Sequence, residues 1–437
     1  MPRIIFFARV SLMKIPLLVC LIFLAETSFA AAEFETPSTL DVKDMIPAQL
    51  ISGPHHTVLS EVSNNGYQNK YTIESEFGQF LASGPFNLRI KIREMDALAY
   101  LETMSRTEVF VDSLVDAGVD LAKSIGGLFT DPVETVKGIP GGVVRLFAGY
   151  IDSAKRGANY AQNMGNESTT GELHPKEFKK KNYLVSDAER QWASELKTDP
   201  YTTNLKLRAA ISRMSVVQFI GGLPVSYALP MALSVTVGVL GELGDKIYNL
   251  NAVELEVNNR TCLSEAGISE ESIEMFFASD YMTPTMHSVF CAAISRLTGV
   301  KNLELVAVQL SEAESFRETR FVLNSLVLLT WYQNQNDSID RITSKTRLPF
   351  GITSSNELVA ILPADYLIWS ESLASNIELF NDNKHPYAKK SLWLLGQTSE
   401  KARHELTQRG WVIHDRTNDE QMAKIHKIGL EQAQLDP

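Results

Sequence analysis

Four residues near the start of the chain carry the side chains best suited to chemistry: His55, His56, Glu74 and Glu76. They lie in "HHTVLSEVSNNGYQNKYTIESEFG", where Asn65-Gly66 separates two alternating runs, the strongest short hairpin signal in a sequence. A two-residue turn there sets Val58 opposite Ile73, Ser60 opposite Tyr71 and His56 opposite Ser75 on one face. On the other face Leu59 meets Thr72 and Glu61 meets Lys70. His55 then faces Glu76 and lies diagonal to Glu74. An imidazole beside carboxylates suits an acid/base pair or a metal, so His55, Glu74 and Glu76 are the candidate catalytic residues and His55 and Glu76 the candidate metal ligands. The competing expectation makes His55 and Glu76 a surface pair and His56 a satisfied core histidine. The histidines at 174, 287, 385, 404, 414 and 426 form no ligand spacing.

"TSEKARHELTQRGW" offers a second arrangement, Thr398, Lys401 and His404, either a Ser/Lys-type nucleophile or an ordinary helix cap. The sequence holds no G-x-S-x-G, H-E-x-x-H, C-x-x-C or G-x-x-x-x-G-K-[ST], and the glycines of "GVLGELGDK" are spaced as a helix stripe. No cofactor is implied.

The elements that must position these residues follow from periodicity. "GQFLASG" adds a third strand to the hairpin, and from Phe86 the apolar spacing turns helical. Caps and first-turn prolines punctuate the rest: Asp131-Pro132, Ser186-Asp187 and Thr283-Pro284. "SEESIEMFFAS", "TPTMHSVFCAAISRL" and the long "NLELVAVQLSEAESFRETRFVLNSLVLLTWYQNQN" form a helical block. "RLPFGITSSNELVAILP" is a hairpin across Ser354-Ser355-Asn356, and "SLWLLGQTSEKARHELTQRGWVIHD" is strand, helix, strand, with Thr398 or Ser399 as cap and Gly410 as stop.

The expected fold is α+β, predominantly α-helical. A small N-terminal antiparallel β-hairpin unit (31–85) leads to small-residue-rich amphipathic helices (86–164). A polar linker (165–186), whose run Lys179-Lys180-Lys181 is a solvated surface, precedes a central helical bundle (187–340) and a small mixed C-terminal unit (341–437).

Residues 1–30 have the form of a signal peptide: Arg3, Arg9 and Lys14 precede an apolar run, and Ser28-Phe29-Ala30 supplies the cleavage pattern. Removing Arg3, Arg9, Lys14 and Glu26 from the 41 basic and 52 acidic side chains leaves 38 and 51, a net charge of −13, which argues against nucleic acid and purely electrostatic binding to anionic lipid. Cys262 and Cys291 then remain, either as a disulfide or as two buried thiols. "MSVVQFIGGLPVSYALPMALSVTVGVLG", Met214 to Gly241, carries no formal charge, but Gly221-Gly222, Pro224 and Pro230 divide it, favouring a buried helix pair over a membrane span.

"SDAERQWASELKTDPYTTN", "ASDYMTPTMHSVFCAAISRL", "TSEKARHELTQRGWVI" and "TDPVETVKGIPGG" resemble segments of uncharacterised exported bacterial proteins. The resemblance implies an envelope location and no particular activity. The chain is therefore expected to be an exported, periplasmic or envelope-associated protein, non-catalytic, packing on an envelope protein partner or a membrane surface. The alternatives are a metal-binding protein or hydrolase using His55, Glu74 and Glu76, and a secreted membrane-active protein using residues 114–151 and 214–241.

Overall fold

The computed structural model describes residues 34–37, 39–105, 175–215, 243–343, 345–381 and 386–415. The expected signal peptide at 1–30, residues 114–151 and nearly all of the apolar stretch 214–241 lie outside the described residues.

The first sheet grows from the expected hairpin. Its strands are β1 (Leu40–Asp41), β2 (Ser52–Gly53), β3 (His56–Val58), β4 (Glu61–Asn64), β5 (Asn69–Ser75) and β6 (Gly78–Ser83), with the single-turn helices α1 (Val42–Met45) and α2 (Ala48–Ile51) between β1 and β2. β5 pairs antiparallel with β6 and with both β3 and β4, whose far edges carry β2 and β1. Val58 faces Ile73 as the hairpin register requires. Beyond it the register slips by two residues: Ser63, not Glu61, faces Lys70, and Glu61 pairs with Asp41. The turn is wider than Asn-Gly alone, because the Asn65 carboxamide oxygen accepts the amides of Tyr67 and Gln68 at 3.1 and 2.8 Å. The extra residues bulge out at Leu59-Ser60, and such bulges bend a strand. The sheet consequently curls, with Val58, Val62, Tyr71, Ile73, Phe80 and Ala82 buried on its inner face.

The long helix α3 (Gly84–Ser105) packs on that face together with α5 (Asp187–Glu195) and α6 (Leu205–Met214). Between α3 and α5, part of the expected linker is helical: α4 (Pro175–Asn182) presents Lys179, whose Nζ donates to the Phe277 carbonyl at 2.6 Å rather than standing free in solvent. Ser186 caps α5 in a full capping box with Glu189.

A helical layer follows: α7 (Ala252–Glu265), α8 (Glu270–Ala278), α9 (Pro284–Arg296), α10 (Glu304–Ser311) and α11 (Phe316–Gln335). Thr283 caps α9 with Pro284 in its first turn, as expected. The long helical stretch 302–336 is divided in two, because the Ser315 hydroxyl accepts the Glu318 amide and starts α11 afresh.

The second sheet contains β7 (Ile339–Ile342), β8 (Gly351–Thr353), β9 (Glu357–Leu362), β11 (Lys389–Leu394) and β13 (Trp411–His414), ordered β13-β11-β9-β8-β7. β9, β11 and β13 run parallel, connected through α12 (Glu371–Glu378) and α13 (Glu400–Gln408). A side pair, β10 (Tyr366–Leu367) with β12 (Gln397–Thr398), is also parallel. β9 is covered on both faces: Val359 and Ile361 join the core of the helical layer, while Leu358, Ala360 and Leu362 join the core beneath α12 and α13. Strands buried on both faces read as continuous apolar runs, which is what "LVAIL" is.

The expectation of a predominantly helical fold with a central bundle is thereby corrected. The molecule is mixed, 51% helical and 19% strand, with a curled antiparallel sheet at one end and a largely parallel sheet against the helical layer. The strands beyond those expected, β1, β2, β7, β10 and β12, are two to four residues long, too short to show the alternating pattern of a half-buried strand.

Candidate functional site

The structure brings part of the sequence-predicted site together. His55 Nδ1 lies 2.9 Å from Glu76 Oε1, with both side chains substantially exposed. Glu74 is exposed on β5, two residues before Glu76, with Thr57 and Gln79 as its cross-strand partners. His56 is buried; its Nε2 lies 3.3 Å from the Leu50 carbonyl, and burial holds the imidazole below its usual range. Asp96 on α3 faces both histidines and is itself raised by burial, which their charge opposes. Among the described residues no three His, Cys, Asp or Glu side chains gather as a metal ion would require. The His55–Glu76 contact can pass a proton at the surface but is worth little to the fold: His55→Ala should change unfolding free energy by no more than about 1 kcal/mol. Chemical denaturation of the variant checks this, and a larger loss would show that the pair has a structural role.

Thr398 and His404 are tied to different partners. The Thr398 hydroxyl donates to Asp415 at 3.5 Å, and His404 Nε2 meets the Gln408 amide at 2.8 Å. Ser399, not Thr398, caps α13, and its hydroxyl also donates to Glu35 Oε2 at 2.6 Å.

The most perturbed carboxyl in this part of the molecule is one the sequence pattern did not single out. Asp365 follows β9, after Pro363 ends the strand, and is held at the carboxyl end of the parallel sheet. The Gly396 amide donates to the Ala364 carbonyl at 2.9 Å and the Gln397 amide to that of Asp365 at 3.2 Å. Only glycine fits at 396, because a Cβ there would lie 1.9 Å from the Asp365 carbonyl oxygen. The inner face of the curled sheet meets this point with polar groups. The Asn69 amide donates to Asp365 Oδ1 at 2.7 Å and the Tyr71 hydroxyl to Oδ2 at 2.8 Å. Asn64 extends the set, its Nδ2 donating to Asn69 Oδ1 at 2.8 Å and to the Tyr366 carbonyl at 3.0 Å. Gln68 adds a bond from Nε2 to the Pro363 carbonyl at 3.1 Å.

Burial pushes the Asp365 carboxyl up to about 7, against the Asn69 amide, the Tyr71 hydroxyl and the amides of Asp365 and Tyr366, which favour its charged form. Tyr71 is raised well above its ordinary value by its own burial and by the Asp365 charge. The seam therefore contains a carboxyl that exchanges its proton near neutral pH at the junction of the two sheets. Perturbed carboxyls occur at functional sites and in structural networks alike. Here every named partner belongs to the seam itself, so its immediate effect is to couple protonation to the contact between the two sheets.

A second buried polar centre forms around the loop Thr198–Asn204, between α5 and α6. Lys91 and Glu94, neighbours on α3, pair at 3.0 Å with side chains 7% and 4% exposed. Glu94 also accepts the Thr202 hydroxyl, and the Asn204 Nδ2 at 3.0 Å. Asp199 accepts the Tyr201 amide at 2.8 Å and the Thr285 hydroxyl of α9 at 2.6 Å; burial raises its carboxyl despite these bonds. Arg320 on α11 reaches Thr203 at 3.1 Å. The loop thus joins the first sheet's helices to the helical layer.

Comparison with protein-family models, curated proteins and solved structures finds no match to this chain. The functional reading rests on the residues alone.

Proposed function

We propose that this chain is an exported envelope protein that works by packing on a protein partner. The observation that carries the reading is an apolar strip on the outer side of α7. Val253 and Val257 are 56% and 58% exposed, one helical turn apart, and Leu184, which follows the Tyr183 bonded to this helix, is 63% exposed. The Tyr183 hydroxyl, donating to Glu256 at 2.5 Å, fastens the Leu184 segment to this helix. The opposite side of α7 buries Ala252, Leu255, Asn259 and Leu263, so the exposed valines are not needed for its packing. Exposed apolar side chains grouped on one face and edged by charge mark interaction surfaces. Glu254 and Glu256 line this strip, and the mature chain is acidic, so a protein surface suits it better than anionic lipid.

A photo-cross-linker placed at position 257 in the exported protein tests the reading in cells. A discrete adduct in the envelope fraction is expected, released by carbonate, and at least about tenfold weaker when Leu184 and Val253 are both changed to Asp, since a buried charge costs more than the roughly 1.4 kcal/mol that tenfold represents. Unchanged melting of the doubly substituted protein would show that the surface, not the fold, had been altered. An adduct indifferent to the substitutions, or none at all with washed membranes free of the protein, would remove the proposal.

A further inference from the structure

We propose that Cys262 and Cys291 form a reactive dithiol that disulfide compounds oxidise to an intramolecular bridge, Cys262 being the attacking sulfur and Cys291 the resolving one. The two residues face each other across α7 and α9. Asn259 Nδ2 donates to the Ser288 hydroxyl at 3.0 Å, and each cysteine lies three residues further along its helix. Cys291 Sγ donates to the Asn259 carbonyl at 3.4 Å, and Cys262 Sγ lies 3.7 Å from both the Cys291 carbonyl and the Ser295 hydroxyl. Both are free, Cys262 partly exposed and Cys291 buried.

This geometry divides the labour. The neighbouring Cys291 side chain brings Cys262 down to about 7; burial and Glu265 oppose the shift, while Ser295 and Lys246 assist it. The same contact, together with burial, raises Cys291, against the pull of Lys246. At neutral pH Cys262 therefore supplies the thiolate and Cys291 keeps its proton. The exposed thiolate attacks one sulfur of a donor disulfide, whose S–S bond breaks, and the departing thiolate takes a proton from water. Cys291 then gives its proton to solvent as its sulfur attacks Cys262 Sγ, expelling the second donor thiolate. The protein loses two protons and two electrons, and the donor disulfide gains them.

The test uses the full chain carrying Cys20→Ser, so that two of its three cysteines remain, with oxidised glutathione as the probe. The expected product has lost two hydrogens by intact mass, yields a Cys262–Cys291 cross-linked peptide, and melts at a higher temperature until dithiothreitol is added. Cys291→Ser, or Cys291→Ala as a variant that puts no new polar group in the buried position, should retain one glutathione on Cys262. Cys262→Ser should remain unmodified. Glutathione held permanently by the unsubstituted pair, or equal labelling of the Cys262 and Cys291 variants, would overturn the proposal.

Discussion

Replacing Asp365 by alanine is expected to cost about 3 kcal/mol of folding stability at pH 5, because the Tyr71 hydroxyl and the Asn69 amide lose their shared acceptor in a seam without exposed surface. Asparagine, which keeps one acceptor oxygen, should cost about 1 kcal/mol. The more telling outcome is the change with pH. Folding raises this carboxyl from 3.8 to about 7, so the folded protein holds a proton that the unfolded chain releases between those values. The resulting stabilisation is complete below pH 3.8 and drains away as the pH rises through 7. The advantage of the unsubstituted protein over Asp365→Asn should therefore be largest near pH 4, and shrink or reverse by about pH 8. Denaturation midpoints measured across that range check it, and a constant difference would show that the carboxyl does not titrate as its burial dictates.

His287 pulls the other way. It is buried against Phe276 and Phe277, and desolvation, helped by the charges of Lys179 and Arg260, lowers its imidazole from 6.5 to about 3. Its contribution is intact above pH 6.5 and is lost as the pH falls toward 3, since the unfolded chain then takes up a proton that the folded core refuses. Between roughly pH 4 and 6.5 the two groups offset each other. Asp365→Asn should for that reason expose an acid-side loss that the parent protein largely conceals, and a pH profile no steeper than the parent's would contradict the assignment.

What the sequence revealed divides along the same lines. The His55–Glu76 contact was legible because alternation and a turn signal set the register at Val58 and Ile73. The slip at Ser63 was not, since it depends on the Asn65 side chain bonding two amides in preference to a tight turn, a local competition that the dipeptide does not reveal. The break before α11 was visible in Ser315 and Glu318, whose three-residue spacing is that of a capping pair, but helical periodicity continues across it. The strand, helix and strand ending at Trp411–His414 emerged as expected because Ser399 and Gly410 mark the helix ends chemically. Asp365 lay beyond such reasoning: its partners are some three hundred residues earlier, and only the fold brings them together. A carboxyl three residues after the apolar run Leu358–Leu362 was the available clue, as ligand and proton chemistry collects at the carboxyl ends of parallel strands.

The same dependence on distant partners makes Glu94 on α3 a sensitive position. Glu94→Leu should cost about 3–5 kcal/mol, because Lys91 would then carry an uncompensated charge in the interior while Thr202 and Asn204 lose an acceptor. Adding Lys91→Met should recover part of this, since a buried pair replaced by apolar groups of similar volume removes the stranded charge. Recovery should stop about 1–3 kcal/mol short, the cost of the two donors that remain unsatisfied. A double-mutant cycle in urea measures the coupling, and additive effects would mean that the pair is not a unit. The consequence should also travel. Asn204 caps α6 through Leu207, and Asp199 and Thr203 on the same loop hold α9 and α11. Amide exchange in residues 198–204 should accelerate in Glu94→Leu and be partly restored in the double variant, because the loop's anchoring depends on the absence of a stranded charge beneath it.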